Sequence, residues 1–489
     1  MSDLITDYVQ NWIDNNPRNA ISGATFEKPN PATGKTLCKV ARSGKDDVEL
    51  AVASARKAQP GWAKTTPVER GAILRKISIL LQERAHEMAQ VVHLETGKSV
   101  KDALGETGGA VEQGFFMAGE GRRFYGKTTT SAMAERTSMM IRQPVGVAGL
   151  IIASNTPIAN VAWKVFPALI CGNAAILKPS EDTPMTAWAF AQIAKDAGLP
   201  DGVLNVIQGL GAEAGAPLVE HPGVDLISFT GSTATGRWIA KTAGERLAKV
   251  FLELGGKNPM VVCDDADMEN AVKWTALSAF SNAGQRCAAA SRVIVFDKVY
   301  DTFRAALLKA AQSQKVGSAD DDDLGPVINE RQLNNMISAV ENAKAGGAKI
   351  LTGGTRLTGG AHAGGYYMAP TLIEGAAPSA EISRKELFGP IACLYRVNGF
   401  EEAVAMANDS EYGLTACIHT SSVHRALEFA RRVQAGVVNV NAGTYGSEPH
   451  MPFGGVKNSG NGLREPGTEA LDVYTELKNI SVNTIPGLA

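Results

Sequence analysis

Between residues 147 and 254 the chain alternates short apolar runs with segments of helical periodicity. Residues 147–153 form a β-rich apolar run, 158–171 repeat their apolar positions at helical spacing and stop at Gly172-Asn173, and 174–177 are apolar and short again. The same alternation predicts a helix over 183–197, a strand over 203–207, a short helix near 215–220, a strand over 225–229, a helix over 233–244 and a strand over 250–254. Strands that are apolar on both faces and separated by helices predict a parallel sheet covered on both sides, a doubly wound, Rossmann-like α/β domain. The ligand crevice of such a sheet lies at the carboxyl ends of its strands.

A second α/β block follows, with a strand over 292–296, a helix from 299 to about 313, an acidic loop at 320–323, a long helix over 330–345 and glycine-rich loops from 346 to 365. A strand over 391–397, a helix over 400–408 and a strand over 436–441 complete it. Residues 131–142 alternate in the manner of an exposed hairpin that a partner chain would cover. The apolar stretch 145–177 is too interrupted by Asn155, Pro157, Asn160, Lys164 and Asn173 to span a membrane.

Composition narrows the class. A chain of 489 residues exceeds the usual single-core limit, so more than one domain is expected. Lys and Arg number 48 against 50 Asp and Glu, without a sustained basic block, which argues against nucleic acid as a partner. The six cysteines are scattered and make no metal-ligand spacing with the seven histidines, so no metal site is expected. Reduced thiols and an N-terminus without a basic or apolar leader pattern point to the cytoplasm.

The strand ends carry the candidate chemistry. Ser154-Asn155-Thr156-Pro157, Lys178-Pro179-Ser180-Glu181, Gly209-Leu210-Gly211, Phe229-Thr230-Gly231-Ser232 and Glu253-Leu254-Gly255-Gly256 all lie at the ends of predicted strands. The turn at Gly231 and Ser232 opens a helix, where free N–H groups and the helix dipole suit a phosphate. Lys178 and Glu181 suit the hydroxyls of a nucleotide ribose. Further on, Cys287 lies in FSNAGQRCAAASR, where small neighbours leave room for an electrophile, and Glu253 offers a carboxylate. On its local sequence alone Cys287 reads first as a small buried hydrophobe, as most free cysteines are. A cysteine-dependent acyltransferase or hydrolase without redox chemistry is a second reading; it needs an imidazole beside the thiol.

ELGGK followed by GQRC, together with LKPSE, FTGSTATG, ELFGP and PFGGVKNSG, resembles the NAD(P)-dependent aldehyde dehydrogenase superfamily, in order and spacing over nearly the whole chain. The resemblance implies a cofactor domain (1–122 and 145–255), an α/β catalytic domain (256–471) and a small β oligomerisation element (123–144 and 472–489) in a homodimer or homotetramer. It implies Cys287 as nucleophile, Glu253 as general base and Asn155 as oxyanion donor in the oxidation of an aldehyde through a thiohemiacetal and an acyl thioester. It places the cofactor at Ile152, Lys178, Ser180, Glu181, Gly211, Phe229, Gly231, Ser232, Leu254, Glu386 and Phe388. Glu181, as a ribose ligand, favours NAD over NADP because a 2′-phosphate would face its carboxylate.

The substrate positions depart from the family pattern. Ala153-Ser154 and Thr156-Pro157 flank Asn155 where Pro-Trp and Phe-Pro are frequent, and the segment 460–465 resembles an insertion. Asn160, Trp163, Ser281, Arg286, Glu448 and His450 match substrate-lining positions, and all but Trp163 are polar. A polar aldehyde, such as a semialdehyde, is therefore expected over an aromatic or long aliphatic one.

Overall fold

The computed structural model describes residues 2–484. A seven-stranded sheet is ordered Lys249–Glu253, Leu226–Thr230, Val147–Ile151, Ala174–Lys178, Leu204–Val206, Asn11–Ile13 and Asn16–Arg18. The first five strands are parallel, and Asn11–Ile13 joins antiparallel with Trp12 opposite Val206. From the central Val147–Ile151 the chain builds outward on one side, then crosses to Leu226–Thr230 on the other. The topological switch point thus lies between these two strands, and their carboxyl ends open the crevice.

Burial explains the unbroken apolar runs. Ala175 and Leu177 pack into one hydrophobic cluster, with Phe166, Phe190 and Trp188, while Ala174 and Ile176 pack into another, with Val48, Val52 and Ile239. Adjacent side chains point to opposite faces of a strand, so a strand with helices above and below has no polar face. The helices Pro157–Ile170 and Pro184–Asp196 both carry proline at a first-turn position, where its missing N–H costs nothing.

A second seven-stranded sheet is ordered Lys349–Thr352, Thr371–Glu374, Ile391–Val397, Ala290–Phe296, Asn258–Val262, Thr415–His419 and Val437–Val440. All its pairings are parallel except Lys349–Thr352 with Thr371–Glu374. The glycine-rich stretch expected to be loop therefore contains an edge strand, and Arg356–Leu357 pairs with Tyr367–Met368. Both partners come from beyond the stretch itself, so local composition concealed them.

A third sheet joins Thr475–Asn483 to Arg136–Pro144 and Lys127–Thr129, all antiparallel. The expected hairpin thus acquires a third strand from the C-terminal region. Between Asn16–Arg18 and Val147–Ile151 the chain forms four helices, Lys45–Lys64, Pro67–Glu83, Ala85–Thr96 and Val100–Glu120. The last of these packs on Pro157–Ile170 and reaches the site described next. No helix among the described residues is long and apolar enough to cross a membrane.

Candidate active site

Three cavities adjoin one another and share lining residues. One, of about 670 Å³, lies on the carboxyl ends of the first sheet and is lined by Ile152, Lys178, Ser180, Glu181, Gly211, Phe229 and Gly231. A second, of about 310 Å³, is lined by Asn155, Asn160, Gly231, Ser232, Glu253, Leu254, Cys287, Glu386 and Phe388. The third, of about 470 Å³, opens on the far side of Cys287 and shares Asn155, Thr156, Trp163, Cys287 and Phe453 with the second. Cys287 stands at the neck between them.

The nucleophile loop is held in an unusual backbone path. Asn282, Ala283 and Gly284 all adopt left-handed φ angles of 54°, 52° and 65°. For the two non-glycine residues such a conformation costs about 1–3 kcal/mol each, and surrounding hydrogen bonds hold it. Asn282 Nδ2 donates to the carbonyls of Asn155 and Gln285 at 3.1 and 3.2 Å. Asn258 Nδ2 donates to the carbonyls of Cys287 and Ala289 at 2.8 and 2.9 Å, and Thr444 Oγ1 donates to that of Ala288 at 2.6 Å. The carbonyl side of the loop is thereby occupied.

Asn155 follows Val147–Ile151 and precedes the helix that begins at Pro157. Asn160, one turn into that helix, donates from Nδ2 to Asn155 Oδ1 at 3.4 Å and to the Ala153 carbonyl at 3.2 Å. An amide whose oxygen is engaged presents its NH₂ to the remaining space. Asn155 is thereby a hydrogen-bond donor toward the neck.

Glu253 is buried, and neither of its carboxylate oxygens has a hydrogen-bond partner among the described residues. Gly454, at φ 148°, allows this close approach, since a Cβ there would sit 2.6 Å from Glu253 Oε1. Burial raises the Glu253 carboxyl well above its ordinary range, Lys164 opposes the rise and Glu465 adds to it. Lys164 itself pairs with Glu465 at 3.0 Å and donates to Ser228 Oγ at 2.7 Å. Burial also pushes the Cys287 thiol up to about 12, reinforced by the charges of Glu253 and Glu386. Thiolate and carboxylate therefore disfavour one another, and the pair is suited to hold one negative charge between them. Glu386 is raised to about 7 by burial, offset by the Gly256 N–H, which donates to its Oε1 at 3.0 Å, and by Lys257.

The 670 Å³ cavity fits a dinucleotide. It lies at the topological switch point, and the helix Thr233–Glu245 points its N-terminus at its edge. Lys178 Nζ donates to the Pro179 carbonyl at 2.7 Å and lies 4.0 Å from Glu181, so a cation and a carboxylate flank one wall. Phe388, at φ 56°, lines the adjoining 310 Å³ space from the loop that precedes Ile391–Val397.

The sequence model described as "Aldehyde dehydrogenase family" matches residues 18–480. The chain belongs to the aldehyde dehydrogenase family. It is an NAD(P)-dependent enzyme that oxidises an aldehyde to the acid. Alpha-ketoglutaric semialdehyde dehydrogenase of Bacillus subtilis is 38% identical over 475 residues, covering 96% of this chain and 97% of that one. Mitochondrial succinate-semialdehyde dehydrogenase of Arabidopsis thaliana is 39% identical over 471 residues, covering 96% and 87%. Betaine aldehyde dehydrogenase from Staphylococcus aureus, in complex with NAD+, superposes with a TM-score of 0.95 at 33% identity over 98% of this chain and 95% of that chain. An NADP-dependent enzyme of E. coli gives a TM-score of 0.95 at 35% identity over 99% of both chains.

The dehydrogenase brings Cys287, Glu253 and Asn155 together with every residue expected at the cofactor. Arg286 and Glu448 line the 470 Å³ cavity, and Trp163 lines both spaces at the neck, tilted on Phe453 with ring centroids 5.5 Å apart. Asn160 lines only the 310 Å³ cavity. Ser281 and His450 line neither cavity: the Ser281 hydroxyl donates back to the Leu277 carbonyl at 2.6 Å, and His450 is exposed. No histidine lines either space that meets Cys287, so the imidazole that a non-redox hydrolase or transferase needs is not there. Among the described residues no group of His, Cys, Asp and Glu is arranged to hold a metal.

Sequence reasoning missed Lys98, Glu106, Gln113 and Tyr445 on the wall of the dehydrogenase cavity. One signal was present. Gln113 interrupts the apolar face that Ala110, Val111 and Met117 form on the helix Val100–Glu120.

Proposed function

We propose that this dehydrogenase oxidises a carboxylate-bearing aldehyde, a semialdehyde, to the corresponding acid, with NAD preferred over NADP. The observation that carries the reading is Arg286. Its guanidinium stands 4.7 Å over the Tyr445 ring, lines the cavity on the far side of Cys287, and its buried Nε finds no acceptor among the described residues. The other cation shielded there, Lys98, is buried and already neutralised by Glu106 at 2.6 Å, while Lys101, Asp102 and Glu448 are exposed at the mouth. The two relatives named for semialdehydes support the same class.

In this reading the Cys287 thiolate, its proton released to solvent, attacks the aldehyde carbon and passes its charge to the carbonyl oxygen. The carbonyl oxygen of the thiohemiacetal faces Asn155 Nδ2 and the Cys287 backbone N–H. A preorganised donor of this kind lowers a barrier by about 2.7–4 kcal/mol. The nicotinamide, when bound, supplies the hydride acceptor that leaves a thioester on Cys287. Glu253 then takes a proton from the water that hydrolyses that thioester, a role suited to a carboxyl raised by burial. Lys178, Ser180 and Glu181 hold the adenosine ribose, with Ile152, Gly211 and Phe229 along the cavity wall. Gly231 and Ser232 approach the phosphates, and Leu254, Glu386 and Phe388 position the nicotinamide half. The sheet of residues 127–129, 136–144 and 475–483 serves assembly into a homodimer or homotetramer. Six free cysteines suit a reducing cytoplasm.

The test compares kcat/KM for succinic semialdehyde and for butanal, in wild type and in Arg286→Met. A charged hydrogen bond is worth about 1.5–3 kcal/mol, or roughly ten- to hundredfold, so the wild type should favour the acid by that factor and the variant should lose the preference. A wild type that does not distinguish the two aldehydes overturns the semialdehyde reading. Cys287→Ala should produce no NADH with either.

A further inference from the structure

Gln113 lies on the wall of the 470 Å³ cavity, 1% exposed, and both its amide nitrogen and its amide oxygen lack a hydrogen-bond partner among the described residues. Burying an amide in this way costs about 1–3 kcal/mol unless something answers it. The residue sits on the helix Val100–Glu120, and Gly105 and Gly109 precede it at successive four-residue steps, on the same face. Both glycines line the cavity, and a Cβ built on either meets nothing within 4 Å. Each glycine within a helix costs about 1 kcal/mol relative to alanine, and packing against neighbours does not require it here. The helix therefore presents an open trough that leads to a buried, unanswered amide.

We infer that Gln113 forms a distal substrate subsite that binds a hydroxyl on the aldehyde's chain. This deepens the aldehyde-oxidising reading of the same cavity and rests on it. The choice of hydroxyl follows from the two unsatisfied atoms. A hydroxyl donates to Oε1 and accepts from Nε2, so one group answers both. A carboxylate accepts from Nε2 but repels Oε1, and it has a better partner in Arg286. An aliphatic chain answers neither atom. The substrate class is thus a hydroxylated semialdehyde, whose carboxylate meets Arg286 and whose hydroxyl meets Gln113.

The experiment holds charge constant and changes only the hydroxyl. Steady-state kcat/KM is measured for glutaric semialdehyde and for its monohydroxy derivatives, in wild type, Gln113→Leu and Gln113→Met, with propanal as a substrate too short to reach the subsite. Wild type should favour one hydroxylated aldehyde at least tenfold, because a site built to bond a hydroxyl discriminates strongly against its absence. Both variants should bring that ratio close to one through KM, while propanal turnover and the NADH burst per site stay within about twofold of wild type. A wild type indifferent to every hydroxyl position overturns the proposal, even if neither variant folds. A ratio that survives in a folded variant also overturns it, as does a uniform loss on every substrate, propanal included, which marks Gln113 as structural. Failure of the carboxylate reading appears separately, in the comparison of charged with neutral aldehydes.

Discussion

Lys98 Nζ donates to the backbone carbonyl of Asn155 at 2.9 Å while it pairs with Glu106 at 2.6 Å. Glu106 in turn accepts from the backbone N–H groups of Ile158 and Ala159 at 3.0 and 3.3 Å, capping the helix that starts at Pro157. One buried ion pair thus holds both the segment that carries Asn155 and the helix that follows it. Lys98→Met should destabilise the protein by about 3–5 kcal/mol, since it strands a buried carboxylate. Adding Glu106→Leu should restore most of the melting temperature but not kcat, which should stay about tenfold or more below wild type. If kcat returns together with stability, the pair does not position Asn155.

Glu253→Gln separates the two halves of the reaction. The amide cannot take a proton from water, so about one NADH per site should appear in a burst, followed by turnover slowed at least a hundredfold. In wild type the raised carboxyl places the acid limb of the hydrolysis step above the ordinary carboxylate range, with the rate rising as pH rises through that limb. Stopped-flow absorbance at 340 nm reads both. Loss of the burst itself would assign Glu253 to thiol deprotonation.

Cofactor choice should depend on Glu181. Its carboxylate lies 4.0 Å from Lys178 Nζ on the wall of the larger cavity, and a 2′-phosphate there would meet like charge. Repulsion between unit charges a few Å apart amounts to about 1 kcal/mol in water and several times that in a partly dry cleft. The wild type should prefer NAD, and Glu181→Gln should shift the kcat/KM ratio toward NADP by roughly tenfold. An unchanged ratio would remove Glu181 as the discriminator.

Stability toward acid should depend on His419. This residue is buried in the second sheet, neither ring nitrogen has a hydrogen-bond partner among the described residues, and burial pushes its pKa to about 4. The unfolded chain takes up a proton near the ordinary value of about 6.5, which the folded protein resists. The contribution of the neutral ring is therefore complete above about pH 6.5 and is lost as pH falls toward 4. Glu253, Glu386 and Glu465, held above their ordinary range, act with the opposite sign. Urea unfolding at pH 7.5 and 5 should show that His419→Leu loses less stability on acidification than wild type. Equal losses would contradict this account of the ring.

The amino-acid sequence by itself determined the layered α/β architecture, because a strand covered on both faces must be apolar on both, and the unbroken runs 147–152 and 174–177 can satisfy nothing else. It also brought out Glu253 and the turns at the carboxyl ends of the doubly wound strands, where the ligand crevice of such a sheet lies, while Cys287 stood out only through the motifs that resemble the family's. Tertiary structure alone decided which polar side chains share a cavity. Lys164 meets Glu465 across 301 residues, Ser281 turns back onto its own helix, and Gln113 shares a cavity wall with glycines one and two turns earlier. Such partners are set by how helices and sheets pack, and periodicity reports only which face of an element is buried, never what lies against it.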